Sequence, residues 1–245
     1  MTILSPWRAA AFRRALRAWF RAHGRALPWR ETRDPYRILV SEAMLQQTQV
    51  SRVIGYYARF LHRFPTLHTL AAAHPSRVRE SWEGLGYYAR ARNLHALARE
   101  VGTLPADPEA LRELPGIGRY TAGAVASFAY EKRVSLVDTN VARVLRRVFA
   151  PRADFMTARG QRRIWAIAES ILPRTGKLTW THNQALMELG ALVCTARVAR
   201  CDVCPVKAFC ATGARYESSS RPREDSPSRK RPRRGTSSRQ RSRTT

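Results

Sequence analysis

Two carboxylates are the residues of this 245-residue chain whose settings suggest bond-breaking chemistry. Glu42 sits inside an apolar run, after Ile38-Leu39-Val40-Ser41 and before Ala43-Met44-Leu45. Burial at such a position disfavours the ionised form and raises a carboxyl pKa. A carboxyl kept protonated near neutrality can act as a general acid. Asp138 precedes Val141, Val144, Leu145 and Val148, which recur at helical spacing, so it is placed to cap a helix. The helix dipole and free backbone N–H groups favour its negative charge. One protonated and one ionised carboxylate form the pair that cleaves a glycosidic bond through an oxocarbenium-like state. A partly exposed Glu bonded to an Arg and an ordinary helix cap are the plainer alternatives, and spacing alone does not bring the two residues together.

Four cysteines supply a second chemistry. Cys194, Cys201, Cys204 and Cys210 are separated by six, two and five residues. A secreted disulfide scaffold scatters its cysteines, whereas a cluster this tight points to a reducing compartment and a metal centre. Structural zinc takes four thiolates, although zinc ribbons generally show two C-x2-C pairs and only one is present. Arg197, Arg200 and Lys207 make the loop basic, as a phosphate contact or as ordinary solvated charge.

The elements that must position these groups read as helices. Asp34-Pro35 is a cap followed by proline at the first helical position. Helical spacing continues through Val50-Val53-Ile54-Tyr57, Val78-Trp82-Leu85, Leu94-Leu97-Ala98-Val101, Trp165-Ala168-Ile171-Leu172 and Leu186-Leu189-Gly190-Val193. No alternating strands with hairpin dipeptides and no long-period repeat occur, so the expected class is all-α. Leu114-Pro115-Gly116-Ile117-Gly118 is a short turn between helical patterns at 108–114 and 120–128. Gly116 and Gly118 relieve the turn of Cβ restrictions, and the N–H groups of the following helix can face a phosphate.

Charge supports a polyanionic partner. Lys plus Arg total 44 against 18 Asp plus Glu, a net +26 at a pI near 11.5. The segment from Glu217 to Thr245 carries +7, is rich in Ser and Pro and lacks aliphatic or aromatic residues, and is expected to be a disordered basic tail. That leaves +19 on the remaining chain, which is therefore basic in its own right. No apolar run reaches the roughly 18 residues of a membrane span, and the N-terminal residues do not read as a secretory signal.

Ordered motif blocks carry a family resemblance over about three quarters of the chain, from Leu27 to Cys210. They are Pro28-Trp29-Arg30, S-E-A-M-L-Q-Q-T-Q-V from Ser41, G-L-G-Y-Y-A-R-A-R-N-L from Gly84, L-P-G-I-G-R-Y-T-A-G-A-V from Leu114, V-D-T-N-V from Val137, N-Q-A-L-M-E-L-G-A-L-V-C from Asn183, and the cysteine loop. Together they resemble the catalytic domain of MutY-type A/G-specific adenine DNA glycosylases, in the helix-hairpin-helix, endonuclease III superfamily. The resemblance implies a two-lobed fold. Residues 31–137 would form a helical barrel with the hairpin, residues 1–30 with 138–215 an iron–sulfur domain, and residues 216–245 the tail.

The resemblance also implies roles. Glu42 protonates the departing adenine. Asp138 stabilises the sugar cation, with Asn140 as polar support. Tyr120 stands with them, at the position where bifunctional relatives carry a Schiff-base lysine. Trp29, Arg30 and Gln184 match the adenine pocket. Gln47, Thr48, Leu85 and Tyr87 match residues that wedge into the duplex or meet the opposing base, with Gly116 and Gly118 in the hairpin. The four cysteines match ligands of a [4Fe–4S] cluster. The first lysine of the chain is Lys132, which implies a monofunctional enzyme leaving an abasic site.

The expected partner is double-stranded DNA with a mismatched or damaged pair, met by a monomer in a bacterial cytoplasm at the nucleoid. The expected reaction is base-excision release of adenine opposite guanine or 8-oxoguanine. The family's usual C-terminal Nudix-like domain is not matched, which predicts retained excision with weaker lesion discrimination. Thr139 stands where many members have Gly. A T·G mismatch glycosylase and a non-catalytic DNA-binding or redox-sensing protein on the same scaffold are the rival readings.

Overall fold

The computed structural model describes residues 5–213, so the expected tail lies outside the described residues. Eleven α-helices occur among them: α1 (Pro6–His23), α2 (Pro35–Leu45), α3 (Val50–Arg63), α4 (Leu67–Ala71), α5 (Pro75–Ser81), α6 (Ala89–Glu100), α7 (Pro108–Arg112), α8 (Arg119–Phe128), α9 (Thr139–Phe149), α10 (Ala158–Ser170) and α11 (Gly176–Leu192). No strand is formed within the described residues, and the fold is the all-α, two-lobed helix-hairpin-helix arrangement.

Local sequence explains most helix starts. The Asp34 carboxylate accepts from the Tyr36 and Arg37 N–H groups and Pro35 opens α2. Asp107, Asp138, Thr157 and Thr175 cap α7, α9, α10 and α11 through their side chains. The start of α8 differs, because its cap is Gly118, which offers no side-chain acceptor.

The helices pack in two groups. Helix α2 lies against α3, α6 and α8, with α4 and α5 on α6 and α7 on α8. Helix α11 lies against α1 and α9, with α10 on α9. Helices α8 and α11 meet, and one continuous apolar core runs through both groups. Small residues set the closest crossings. A Cβ on Gly190 of α11 would stand 2.7 Å from the Cβ of Asn140, so this glycine lets α11 approach the start of α9.

Two buried polar side chains stand out. Arg90 of α6 is buried and donates to Ala43 O, Met44 O and Gln46 O at 3.0, 2.8 and 2.5 Å, and to Leu85 O and Gly86 O at 3.3 and 2.9 Å. It thus satisfies orphan carbonyls at the C-terminus of α2 and fastens that turn to the 84–87 turn. Both turns hold a non-glycine residue in the left-handed region, Gln47 at φ 55° and Tyr87 at φ 48°. Such strain persists only where surrounding bonds over-determine it, and Arg90 provides those bonds.

His182 of α11 is wholly buried against the Phe12 ring, and neither ring nitrogen has a hydrogen-bond partner among the described residues. Burial, with Arg17 and Arg13 nearby, lowers its pKa to about 3.

Two stability outcomes follow. Replacing Arg90 with Met takes a donor from five carbonyls, of which Gly86 O keeps Trp82 Nε1, and should cost about 3 kcal/mol, seen as a lower Cm at unchanged m in urea unfolding; an unchanged Cm refutes the tie. His182 stays neutral when folded but gains a proton when unfolded, so its contribution is intact above its ordinary pKa of 6.5 and is lost as pH falls toward 3. The loss approaches about 1.4 kcal/mol per pH unit. Urea titrations from pH 7 to 4 should show a shallower acid decline for His182→Phe than for the native chain.

Candidate active site

The C-terminal half of α2, the start of α8, the start of α9 and one face of α11 enclose a cleft of about 800 Å³, within the usual range of small-ligand sites. It is lined by Trp29, Arg30, Glu42, Gln47, Thr48, Tyr120, Asp138, Asn140 and Gln184, nine of the residues singled out by sequence.

Glu42 is wholly buried at the inner end of α2. Burial raises its pKa to about 7; the Tyr120 hydroxyl beside it opposes the rise, and the neighbouring Asp138 charge adds to it. The carboxyl is thus half protonated near neutrality. Burial also pushes the Tyr120 phenol well above its ordinary value, with the two carboxylates reinforcing it. Tyr120 therefore stays neutral, a donor that touches the acid and lies 4.0 Å from Met187 Sδ.

Asp138 caps α9 as the sequence indicates, accepting from Val141 N–H at 2.6 Å and Asn140 Nδ2 at 3.0 Å. Burial raises its pKa above 3.8, and these bonds, with the Arg143 charge, pull against the rise. The helix-cap argument alone anticipates the pull and not the burial. Arg143 donates to Asn140 Oδ1, Gly190 O and Cys194 O at 2.7, 2.7 and 2.8 Å, and so ties the Asp138–Asn140 pair to α11 and to the first cysteine.

The other wall is built on Glu188. Its side chain is buried and held by Arg25, through Nε and Nη2 at 2.8 Å each and the backbone N–H at 2.9 Å, and by Arg30 Nη2 at 2.8 Å. Burial works against its charge, but these bonds outweigh it and bring its pKa to about 2. Arg30 then donates from Nε to Gln184 Oε1 at 2.9 Å, which aims both side chains. Neither Glu188 nor Arg25 was singled out by sequence, and Arg90 and Arg143 were also missed. The available signal for Glu188 was its place four residues after Gln184 on an otherwise apolar helix face.

Leu85, Tyr87, Gly116 and Gly118 stand outside this cleft lining. Leu85 is packed in the core, whereas Tyr87 is 60% exposed with the Arg90 guanidinium 5.4 Å from its ring centre. Gly116 adopts φ 77°, and a Cβ there would approach Asn93 Nδ2 to 2.7 Å. Gly118 leaves the first N–H groups of α8 without a side-chain acceptor, open to an anion.

The four cysteines are all half-buried and line one cavity between α9, α11 and the 194–213 loop. Among the described residues no three Cys, His, Asp or Glu side chains are gathered as ligands of a single ion. Burial raises the Cys204 thiol to about 11, with neighbouring thiols adding to the rise. Arg147 donates to Cys194 Sγ at 3.4 Å and to Thr195 O at 2.7 Å, which fixes the start of the loop.

The chain resembles known proteins on the same residues. Residues 40–170 match the family described as HhH-GPD superfamily base excision DNA repair protein. Adenine DNA glycosylase of Homo sapiens is 44% identical over 223 residues, covering 84% of this chain and 40% of that protein. The enzyme of the same name from Mycobacterium tuberculosis is 45% identical over 197 residues, covering 78% of this chain and 64% of that one. A solved structure of a thermostable thymine-DNA glycosylase superposes with a TM-score of 0.77 at 28% identity, over 85% of this chain and 98% of that one. The chain thus spans between two fifths and two thirds of these two curated relatives and nearly all of the solved domain. With its helical fold, its glycine turn and its paired carboxylates, the chain belongs to the HhH-GPD superfamily of base excision DNA repair proteins.

Proposed function

We propose that this protein is a monofunctional DNA glycosylase that releases adenine mispaired with guanine or 8-oxoguanine, acting as a single chain on duplex DNA. The observation that carries this reading is Glu42, wholly buried with a pKa of about 7, in one cleft with Asp138 and Tyr120. Similarity to adenine DNA glycosylases of human and mycobacterial origin supports the choice of base.

The residues divide the work. An adenine extruded from the stack enters between Trp29, Arg30 and Gln184, and the Glu188 anchor keeps Arg30 and Gln184 in place. Protonated Glu42 donates to the ring of the departing base while the C1′–N9 bond lengthens. Asp138 faces the sugar and stabilises the positive charge that develops there. The bond electrons leave with adenine, water adds to the sugar cation, its released proton returns to ionised Glu42, and an abasic site remains. Tyr120 occupies the place of a lysine nucleophile, so no amine is available there to form a Schiff base. Gln47 and Tyr87, held at positive φ by the Arg90 tie, would wedge into the duplex, as the family resemblance implies. Gly116 and Gly118 seat a phosphate on the open N–H groups of α8.

Cys194, Cys201, Cys204 and Cys210 would hold a [4Fe–4S] cluster. Four thiols lining one cavity supply the thiolate donors that an iron–sulfur cluster takes, and structural zinc takes the same donors. When bound, the cluster supplies a cross-link that orders the basic loop. An anaerobically purified sample should show broad absorbance near about 400 nm that is lost in Cys204→Ser. A colourless protein containing zinc excludes the assignment.

Single-turnover release of adenine from A·G and A·8-oxoguanine duplexes tests the reaction. The competent form carries a proton on Glu42, so the rate should be level below about pH 7 and fall tenfold per unit above it. Glu42→Gln and Asp138→Asn should each lower the rate by more than about 100-fold. Cleavage of T·G without A·G favours the thymine reading, and strand scission without alkali contradicts the monofunctional one.

A further inference from the structure

The cleft accounts for only part of the positive charge. Helix α1 carries Arg8, Arg13, Arg14, Arg17 and Arg21 and no acidic residue. Arg13, Arg17 and Arg21 recur every four residues and make a stripe beside the buried face of Ala9, Phe12, Leu16 and Phe20. Arg14 extends it outward. Arg174, before α11, and Arg133, after α8, join from other segments, since both act electrostatically on Arg13. Arg17 in turn feels Arg13, Arg21 and Arg14. Among the described residues none of the six patch residues Arg13, Arg14, Arg17, Arg21, Arg133 and Arg174 forms a salt bridge. Gathering six guanidinium groups without a carboxylate is unfavourable unless a polyanion answers them.

The patch lies away from the cleft. Helix α11 turns Gln184, Met187, Glu188 and Ala191 toward the cleft. At 100° per residue, His182 points to the opposite side of the helix, and His182 contacts Phe12 of α1 and lies near Arg13 and Arg17. Helix α1 therefore covers the back of α11, and only its C-terminal end leads round to the cleft, where Arg25 meets Glu188. From Arg13 to Arg21 the stripe runs about 12 Å, the axial length of three to four phosphates on one strand.

We infer that the α1 arginines, with Arg133 and Arg174, form a second, sequence-independent binding surface for double-stranded DNA, so that one molecule can hold a duplex in its cleft and another on its back. Such a surface lets a repair protein pass between DNA segments without release into solvent. The contacts are to phosphate, so they carry no base preference and weaken steeply with salt. The proposal rests on the reading of the chain as a protein that works on duplex DNA, and its test reads a different property from base release.

The test uses the full chain and two 30-base-pair homoduplexes, one biotinylated and one fluorescent. The native protein should bring the fluorescent duplex onto streptavidin beads at low salt. The variant R13Q/R14Q/R17Q/R21Q should lose this bridging about tenfold and show a salt slope for homoduplex binding smaller by about 2, while single-turnover adenine release stays within twofold. Exposed Arg14 and Arg21 provide a second variant, R14E/R21E, which answers the question if the fourfold variant melts early. Unchanged bridging and salt slope in a folded variant overturn the surface, and so does a native protein that never bridges. Loss of adenine release in the native chain, with bridging intact, refutes the proposed reaction and leaves the second surface standing.

Discussion

The site depends on taking one carboxyl out of water. Glu42 is an acid at the apolar inner end of α2, enclosed by α8 and α9. Desolvation moves its pKa to about 7, and every neighbour acts on that displaced value. Tyr120 steadies the charged form, whereas Asp138 opposes it. A wetter cleft would return Glu42 to an ordinary, ionised carboxylate, with no proton to give. The packing of α2 against α8 is thus a condition of the chemistry as well as of the fold.

The other buried charges obey a different rule. Glu188 is also buried, yet its pKa falls to about 2, because Arg25 and Arg30 surround it with charge-assisted bonds. Two glutamates in one cleft are therefore shifted in opposite directions, Glu42 to half protonation near neutrality and Glu188 to a firmly ionised anchor. Arg90 meets the same problem of a buried charge with backbone carbonyls. Removing one partner from such a set exposes the rest to the cost of an unpaired buried group. These bonds tie the walls of the cleft to one another and to the backbone.

Charge is arranged unevenly over the surface. The first turn of α8 has no side-chain cap and faces the outside, and Arg200 of the cysteine loop joins Arg147 of α9 beside the cysteine cavity. Helix α1 carries its own arginines behind α11. Positive charge is therefore distributed around the molecule rather than confined to the cleft.

Sequence by itself determined the helical class, the caps at Asp34 and Asp138, the glycine turn and the cysteine spacing, because each rests on contacts within a few residues. It also places the first lysine at Lys132, and the family resemblance gives meaning to Tyr120 standing at the hairpin instead of a lysine. The family blocks added Trp29, Arg30 and Gln184, which the structure gathers in the cleft with Glu42 and Asp138. Tertiary structure alone decided what happens to charges across large sequence separations. Arg25 and Glu188 are 163 residues apart, and Arg90 reaches back 47 residues to Ala43. No local pattern marks either end of such a pair. The same holds for Leu85, packed in the core while Tyr87 two residues on is exposed, because strained turns set side-chain direction without regular periodicity. Desolvation belongs to this second class too: a sequence can place Glu42 on an apolar face, but only the closing of α8 and α9 over it excludes the water that would otherwise hold its charge.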